Sequence, residues 1–336
     1  MRFFYPKPVK RNTLPGMLLG LWLLSPGAVV ASYSDSPQAR AFVDKMVGEG
    51  FDRSYVEQLL SDAQRQDSII KAISRPAERV KSWGEYRDIF IQPKRIERGV
   101  AFWKEHADTL QRASDTYGVP AEIIVAIIGV ETHYGRITGN YRVLDALATL
   151  AFDYPPRGAF FEGQLRELLY LLREEPLEVA SLKGSYAGAM GFGQFIPSSY
   201  RNYAVDFDGD GKRDILTNPV DAIGSVANYF KRHGWSAGAP VTVRAEVSAG
   251  ADPAQFNGSL KPEISVEQWR QRGVRPTVPV AADTQATAMR LEINQGEEYW
   301  LGLPNFYVIT RYNHSHLYAM AVYQLSQAIR DQWQQS

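Results

Sequence analysis

Apolar residues recur at helical spacing along most of the chain between about residues 37 and 235. Steps of four and three positions place such residues on one face of a helix. Five of them predict a single helix across residues 96–110: Ile96, Val100, Trp103, Ala107 and Leu110. Four more predict a helix near the C-terminus: Tyr318, Val322, Leu325 and Ile329. The pattern therefore favours a mainly helical protein.

Two further helices are marked by residues that are typical of helix ends. Pro120 is expected at a first helical position and Gly135 just past a helix end, so a helix should end near Glu131. The sequence Asn-Pro-Val-Asp at 218–221 combines an N-cap residue with a first-turn proline and an acid. It predicts a helix that continues to about residue 233.

The pattern changes between about residues 238 and 310. The segments VTVRAEV, TAMRLEI and FYVITRY alternate apolar and polar residues, as half-buried strands do. They predict a small antiparallel sheet inserted before the last helix. The expected fold class is therefore mainly α, with a minor β part.

The composition narrows the classes of function. Of 336 residues 45% are hydrophobic, and 37 basic residues balance 37 acidic ones, so the formal net charge is zero. A nucleic-acid-binding protein needs an excess of basic residues to neutralise phosphates, and we therefore expect no nucleic-acid partner. The chain has no cysteine, which excludes disulfides, thiolate metal sites and a cysteine nucleophile.

The N-terminal segment resembles an export signal. Basic residues precede the apolar segment MLLGLWLL, and small or apolar residues follow it as far as Ala31. The apolar segment is shorter than the ~20 residues that a membrane span needs. We interpret residues 1–31 as a signal peptide. Because the chain lacks a cysteine that could carry a lipid, we expect an exported protein without a lipid anchor.

A single acid follows the most apolar stretch of the chain. In IIVAIIGVETHYGR, residues 123–136, an apolar helix leads directly to Glu131. Burial and the negative end of the helix dipole both disfavour a carboxylate there, so both should raise its pKa. An acid that is still protonated near neutral pH can protonate a glycosidic oxygen. The alternative is a structural glutamate that pairs with Arg136 or Arg142.

A glycine-rich segment, SYAGAMGFGQFIPSSY, occupies residues 185–200. Its glycines permit close backbone approach and unusual dihedral angles. Gln194 can offer both a donor and an acceptor in the tight space that results. The segment lacks a phosphate-loop lysine, so nucleotide binding is disfavoured. A close helix–helix crossing is the alternative explanation.

An acidic segment, VDFDGDGKRDI, has the spacing of a calcium-binding EF-hand loop. Asp206, Asp208 and Asp210 take positions 1, 3 and 5, and the backbone carbonyl of Lys212 takes position 7. Position 12 is Thr217 instead of the usual glutamate. Calcium in a structural role is the expected cofactor, and no organic cofactor is expected. A solvated turn is the alternative.

Four segments occur in an order that resembles the membrane-bound lytic murein transglycosylase B family: GVETHYG, SYAGAMGFGQFIPSSY, DAIGSVANYF and TRYNHSHLYAMAVYQL. The resemblance extends from about residue 37 to the C-terminus. It implies a lysozyme-like core and makes Glu131 the sole catalytic acid and base. It also implies a set of residues that bind substrate: Ser185, Gln194, Tyr86, Tyr229, Tyr312, Asn313 and Tyr318. By the same resemblance Asp221 closes the calcium loop.

The resemblance further implies an activity. Enzymes of this family cut the bond between N-acetylmuramic acid and N-acetylglucosamine in peptidoglycan and leave a 1,6-anhydromuramic acid end. Ordinary glycosidases need two carboxylates, whereas attack by the substrate's own C6 hydroxyl needs one, because the nucleophile is already tethered. A hydrolytic muramidase on the same scaffold and a non-catalytic peptidoglycan-binding protein are the two alternatives.

The patterns and the resemblance together predict four parts of the chain. Residues 1–31 form the signal peptide, and residues 238–303 form a small β domain. A helical domain comprises 32–115 and 316–336, and the lysozyme-like catalytic core comprises 116–237 and 304–315 with the acidic loop. We expect a monomer in the periplasm whose partners are peptidoglycan glycan strands, with other cell-wall enzymes as candidates.

Overall fold

The computed structural model describes Tyr33, residues 36–74 and residues 81–336. The predicted signal peptide lies outside these residues. Fourteen α-helices lie within them: Pro37–Gly48 (α1), Arg53–Asp62 (α2), Asp67–Ser74 (α3), Trp83–Phe90 (α4), Pro93–Glu105 (α5), Ala107–Tyr117 (α6), Ala121–Thr132 (α7), Val143–Asp153 (α8), Gly158–Glu174 (α9), Pro197–Tyr203 (α10), Pro219–Arg232 (α11), Val266–Gln271 (α12), Pro304–Tyr312 (α13) and His316–Gln334 (α14).

The strands of the described residues form two antiparallel sheets. Their bounds are Tyr141–Arg142 (β1), Lys183–Gly184 (β2), Thr242–Val247 (β3), Ile264–Ser265 (β4), Val274–Pro276 (β5), Gln285–Ile293 (β6) and Gly296–Gly302 (β7). β1 pairs with β2, and the other five strands follow the order β4-β6-β7-β3-β5. The prediction of a mainly helical fold with a small antiparallel sheet is confirmed.

Helix α7 is the centre of the main core. All of its residues from Ile123 to Thr132 are buried, and α5 and α14 pack against it. The predicted apolar stripe of α14 is buried, which confirms the C-terminal helix. Among the described residues no single helix is long and apolar enough to cross a membrane. Helices α6 and α7, which meet at 113°, pass that test only as a bent pair.

The prediction of one helix across residues 96–110 is wrong. The chain turns at His106, which ends α5 and precedes α6. The amide of His106 still donates to Phe102 O, and its carbonyl accepts from Leu110 N. The hydrogen bonds and the apolar stripe thus continue through the bend, so the spacing of apolar residues gave no sign of it.

The prediction of a strand at FYVITRY is also wrong, because this segment lies in α13. Pro304 occupies its first turn, where a missing N–H is tolerated. The next residue, Asn305, is fully buried. Its side chain accepts from Ser236 N and donates to Ser236 O and Ala239 O at 2.8–2.9 Å. These contacts fix the start of a helix that alternation alone had suggested was extended.

The five-stranded sheet is buried on both faces. Met289, Leu291 and Trp300 face the main core around α7. Residues of opposite parity, such as Ala288 and Leu301, pack in a separate cluster that includes α12. Because successive side chains of a strand point to opposite faces, one face of the sheet packs against the helices of the main core and the other face packs in the smaller cluster.

A third hydrophobic cluster joins the N-terminal helices to α8 and α9. It includes Phe42, Met46 and Leu60 from α1 and α2, and Leu147 and Leu165 from α8 and α9. The glycine-rich segment also contributes to this cluster, so the cluster packs against part of the site described below. The domain boundaries given above remain a prediction.

Candidate active site

Glu131 lies at the last turn of α7, at the end of a helix that is apolar on every side. Its side chain is only 7% exposed. The Tyr318 hydroxyl on α14 donates to its Oε1 at 2.6 Å. Burial raises the pKa of Glu131 to about 7, against the opposing effect of the hydrogen bond from Tyr318. Near neutral pH this side chain can therefore either give or take a proton.

Three tyrosines interact with the acid: Tyr229, Tyr312 and Tyr318. Tyr229 on α11 and Tyr312 on α13 have ring centroids 4.7 Å apart. Burial raises the pKa of Tyr312 and of Tyr318 well above the ordinary value, and the charge of Glu131 adds to the effect in both.

The next two acids after Glu131 in the sequence are held in ion pairs elsewhere. Asp145 accepts from Arg142 Nε at 2.9 Å. Asp153 accepts from Arg65 Nη1 at 3.1 Å and from the Tyr33 hydroxyl. Both acids tie α8 to its neighbours, as expected for structural residues.

Two of the predicted substrate-binding tyrosines donate to the backbone. The Tyr229 hydroxyl donates to Arg311 O at 2.7 Å, and the Tyr312 hydroxyl donates to Gly193 O at 2.6 Å. These bonds join α11, α13 and the glycine-rich segment into one rigid wall. The two tyrosines therefore do not present free hydroxyl protons to a ligand.

Tyr86 and Asn313 complete the predicted set on this side. Tyr86 lies on α4, half-buried, with its ring centroid 5.2 Å from that of Phe90. Its phenol interacts electrostatically with that of Tyr318. Asn313 directly follows α13 and is 7% exposed. Residues of α11, α13 and α14 thus interact with the carboxyl group at the end of α7, and Tyr86 on α4 interacts with Tyr318.

The glycine-rich segment, which Tyr312 contacts at Gly193, has an unusual backbone. Gly191 has a φ of 69°, and a Cβ there would lie 2.2 Å from Ile215 O, so only glycine fits. Gln194 is also in the left-handed region, with a φ of 52°. Its Nε2 donates to Thr138 O at 3.0 Å and Gly191 O at 3.1 Å. The amide nitrogen is engaged by the backbone, so the Oε1 oxygen is the group it can offer to a ligand.

Ser185 organises the start of the same segment. Its Oγ accepts from Ala187 N at 3.3 Å and Ala189 N at 3.1 Å, and its own amide donates to Ala189 O at 2.8 Å. Because the oxygen accepts from the loop backbone, the hydroxyl proton can be donated to a ligand.

His133, two residues after the acid, ends α7 with a φ of 53°. Its Nε2 lies 2.5 Å from Nη2 of the buried Arg95. Burial lowers the pKa of His133 to about 4, with Arg95 as the next cause. The imidazole is therefore neutral at neutral pH and accepts from the guanidinium. The sequence could not reveal this charge state, because Arg95 lies on another helix.

The acidic loop has the geometry of a cation site. Carboxylate oxygens of Asp206, Asp208 and Asp210 lie within 4.8 Å of one another, and all three residues are exposed. Asp206 accepts from the amides of Gly209 and Gly211 at 2.7 and 2.8 Å. An oxygen-only donor set of this kind suits calcium.

Other groups hold the loop in place. Asp221 is fully buried, and its two carboxylate oxygens accept from Phe207 N and Asp214 N, each at 2.7 Å. It closes the base of the loop through the backbone. Lys212 N donates to Asp210 Oδ1 at 2.8 Å. Asn218, which the sequence marked as an N-cap residue, accepts from Val220 N in that role and also donates to Asp208 Oδ2 at 2.7 Å.

Removal of the Tyr318 hydroxyl should change the acidity of Glu131. In Tyr318→Phe the carboxylate loses a donor, so we expect the pKa of Glu131 to rise further. A hydrogen bond to a charged group is worth about 1.5–3 kcal/mol, which corresponds to a rise of about one unit or more. A ¹³C NMR titration of the Glu131 carboxyl carbon measures this rise. Tyr323→Phe, on the same helix, should leave the pKa unchanged, and equal pKa values in both variants would contradict the assignment.

Comparison with known proteins places this geometry in a family. Residues 34–327 match the family described as transglycosylase SLT domain. The chain is 48% identical over 338 residues to membrane-bound lytic murein transglycosylase B of Escherichia coli K12. The matched region covers 96% of this chain and 92% of the relative.

Solved structures give the same result. Catenated lytic transglycosylase SltB1 from Pseudomonas aeruginosa is 55% identical with a TM-score of 0.87, over 90% of this chain and 99% of that one. Escherichia coli lytic transglycosylase Slt35 in complex with calcium is 48% identical with a TM-score of 0.82, over 92% and 98%. Pseudomonas aeruginosa SltB3 in complex with NAG-anhNAM-pentapeptide is 33% identical with a TM-score of 0.77, over 87% and 78%. The chain therefore belongs to the family of the transglycosylase SLT domain.

Proposed function

We propose that this protein is a lytic transglycosylase that cleaves the β-1,4 bond between N-acetylmuramic acid and N-acetylglucosamine in peptidoglycan. The observation that carries the proposal is the buried Glu131, with a pKa raised to about 7 inside a wall of tyrosines. Family membership and relatives named as lytic murein transglycosylases support the same substrate.

In the first step Glu131 acts as a general acid. It donates its proton to the glycosidic oxygen while the bond from that oxygen to C1 of the muramic acid breaks. The neighbouring acetamido oxygen bonds to C1 and stabilises the positive charge that develops there. Ser185 can donate a hydrogen bond to this acetamido group, and Gln194 can accept one from a sugar hydroxyl.

In the second step Glu131 acts as a base. The C6 hydroxyl attacks C1, the bond from C1 to the acetamido oxygen breaks, and the hydroxyl proton passes to the Glu131 carboxylate. The products are a free N-acetylglucosamine end and a 1,6-anhydromuramic acid end, and Glu131 is protonated again. No water is consumed. The tethered nucleophile replaces the second carboxylate of an ordinary glycosidase.

Two measurements separate this function from its alternatives. A suspension of isolated murein should lose turbidity with the wild-type protein, whereas a non-catalytic binding protein would leave it unchanged. Mass spectrometry of the soluble products should find ends one water lighter than hydrolysed ends, and borohydride should fail to reduce them. Reducible ends of hydrolysed mass would identify a muramidase.

We further propose that the acidic loop binds calcium in a structural role. Asp206, Asp208 and Asp210 would supply carboxylate oxygens, and Lys212 its backbone carbonyl. Asp221 would act by holding both ends of the loop. A bound divalent cation would neutralise three clustered carboxylates and so stabilise the segment before α11, which carries Tyr229. The calcium complex of Slt35 supports this assignment.

Calcium should therefore raise the stability of the protein. At a calcium concentration a hundredfold above its Kd, the free energy of unfolding should rise by about 3 kcal/mol relative to EGTA. Thermal unfolding with and without calcium measures the effect. The Asp206→Asn, Asp210→Asn double variant should lose it, whereas Asp283→Asn, an exposed aspartate next to β6, should keep it. Equal melting temperatures of the wild type in calcium and EGTA would overturn the assignment.

The location follows from the substrate. Peptidoglycan lies outside the inner membrane, so we propose a periplasmic protein that is exported by means of residues 1–31. Glycan strands are its proposed partners, and it acts as a monomer.

A further inference from the structure

The hydroxyl of the residue after the catalytic acid lies within hydrogen-bond distance of three backbone groups. Thr132 is fully buried at the last position of α7. Its hydroxyl lies 3.1 Å from Ile128 O, which is an ordinary contact within a helix. The same hydroxyl also lies 2.9 Å from Phe192 O, in the glycine-rich segment sixty residues away. Its oxygen accepts from Gly135 N at 2.9 Å.

These bonds join the turn after α7 to the glycine-rich segment. The carbonyl of Thr132 accepts from Ile137 N at 2.9 Å, so both polar ends of the residue hold the turn. Gly135 has a φ of 77°, and a Cβ there would lie 2.2 Å from the Phe192 ring. The two segments are thus in van der Waals contact as well as hydrogen-bonded.

A second bond connects the segments one turn further along. Gln194, which lies two residues after Phe192, donates to Thr138 O at 3.0 Å. The amide of Phe192 donates in turn to Ile215 O at 3.1 Å, in the acidic loop. The backbone of Phe192 therefore connects the end of the catalytic helix, through its carbonyl, with the acidic loop, through its amide.

We infer that Thr132 is a positioning residue for the reaction: its hydroxyl fixes the distance between Glu131 and the glycine-rich segment, which carries Ser185 and Gln194. This inference rests on the proposed function. A glycan held by the glycine-rich segment must present its glycosidic oxygen to Glu131 within hydrogen-bond reach. Displacement of reacting groups by about 1 Å can cost about a hundredfold in rate. A hydroxyl bonded to both sides prevents that displacement.

The test compares two substitutions at Thr132. Thr132→Val has nearly the same shape but lacks the hydroxyl, and Thr132→Ser keeps it. With soluble glycan strands as substrate, we expect kcat of Thr132→Val, per folded molecule, to fall about ten- to hundredfold with KM changed less than about twofold. Thr132→Ser should recover to within about threefold of the wild type.

A matched control separates positioning from loss of stability. Thr149 on α8 is also fully buried, and its Oγ1 accepts one backbone amide, that of Gln66, at 3.0 Å. Thr149→Val should therefore unfold at a lowered temperature, as Thr132→Val should, but keep the wild-type kcat. The inference is overturned if the two valine variants have the same kcat, or if Thr132→Ser is as slow as Thr132→Val.

A second measurement does not depend on turnover. In Thr132→Val the loosened contact should admit water to the Glu131 carboxyl, so its pKa in a ¹³C NMR titration should fall toward the ordinary value. In Thr149→Val it should stay at the wild-type value. An unchanged pKa in Thr132→Val would refute the inference even if the wild type proved inactive, whereas inactivity of the wild type alone would refute the proposed function.

Discussion

Glu131→Gln is expected to lose turnover of murein by about a thousandfold or more, which is in the range that general acid–base catalysis contributes. The amide has nearly the shape of the acid but cannot give a proton to the glycosidic oxygen or take one from the C6 hydroxyl. Asp145 and Asp153, the next two acids after Glu131 in the sequence, are held in ion pairs with Arg142 and Arg65 and are not available to replace it. Release of soluble anhydromuropeptides, quantified by chromatography and mass spectrometry, measures the loss.

The variant should remain folded and should still bind glycan strands, because the tyrosine wall is unchanged. Glu122→Gln is the matched control. Glu122 lies in the first turn of the same helix and approaches Arg330 at 3.8 Å, far from the buried end. It should keep the wild-type rate. If Glu131→Gln retained more than about a tenth of the rate, Glu131 would not be the acid.

The second large effect concerns stability and pH. The pKa of Glu131 is about 7 in the folded protein, against an ordinary value of 4.5. The folded state therefore holds the proton more tightly than the unfolded state does. The contribution of protonated Glu131 to the free energy of unfolding is therefore complete below pH 4.5 and is lost as the pH rises to about 7. At 1.36 kcal/mol per unit the loss amounts to about 3 kcal/mol.

Glu131→Gln has no proton to lose at this position. We therefore subtract the free energy of unfolding of the variant from that of the wild type. This difference should fall by about 3 kcal/mol between pH 4 and pH 8. Urea denaturation at a series of pH values measures it, and the titration of all other groups cancels in the difference. Parallel curves for the two proteins would show that Glu131 has an ordinary pKa.

In the wild type, turnover should also fall tenfold for each pH unit above about pH 7, because the protonated form of Glu131 is lost.

Local sequence was sufficient for the elements whose signals are local. The apolar run before Glu131 predicted a buried helix with an acid at its end, and Asn218 predicted the start of α11. The segment FYVITRY was predicted wrongly because contacts distant in sequence decide its structure. Asn305 fixes the start of α13 through Ser236 and Ala239, and nothing in FYVITRY itself records those contacts.

The site shows the same division. The spacing of residues around Glu131 predicts burial and a raised pKa, but its hydrogen-bond donor, Tyr318, lies 187 positions away. The resemblance to a known family, rather than any pattern, selected that tyrosine. The role inferred for Thr132 has no signal in the sequence, because a threonine at a helix end is common. Only the fold shows that its hydroxyl meets Phe192.

The central claim is that Glu131 alone, with the C6 hydroxyl of the substrate, performs the cleavage. Digestion of purified murein in H₂¹⁸O, followed by mass spectrometry of the muramic acid ends, tests it most directly. The account predicts anhydro ends that contain no ¹⁸O, because no water enters the reaction. Muramic acid ends that carry one ¹⁸O atom as the main product would show that water is the nucleophile and would contradict it.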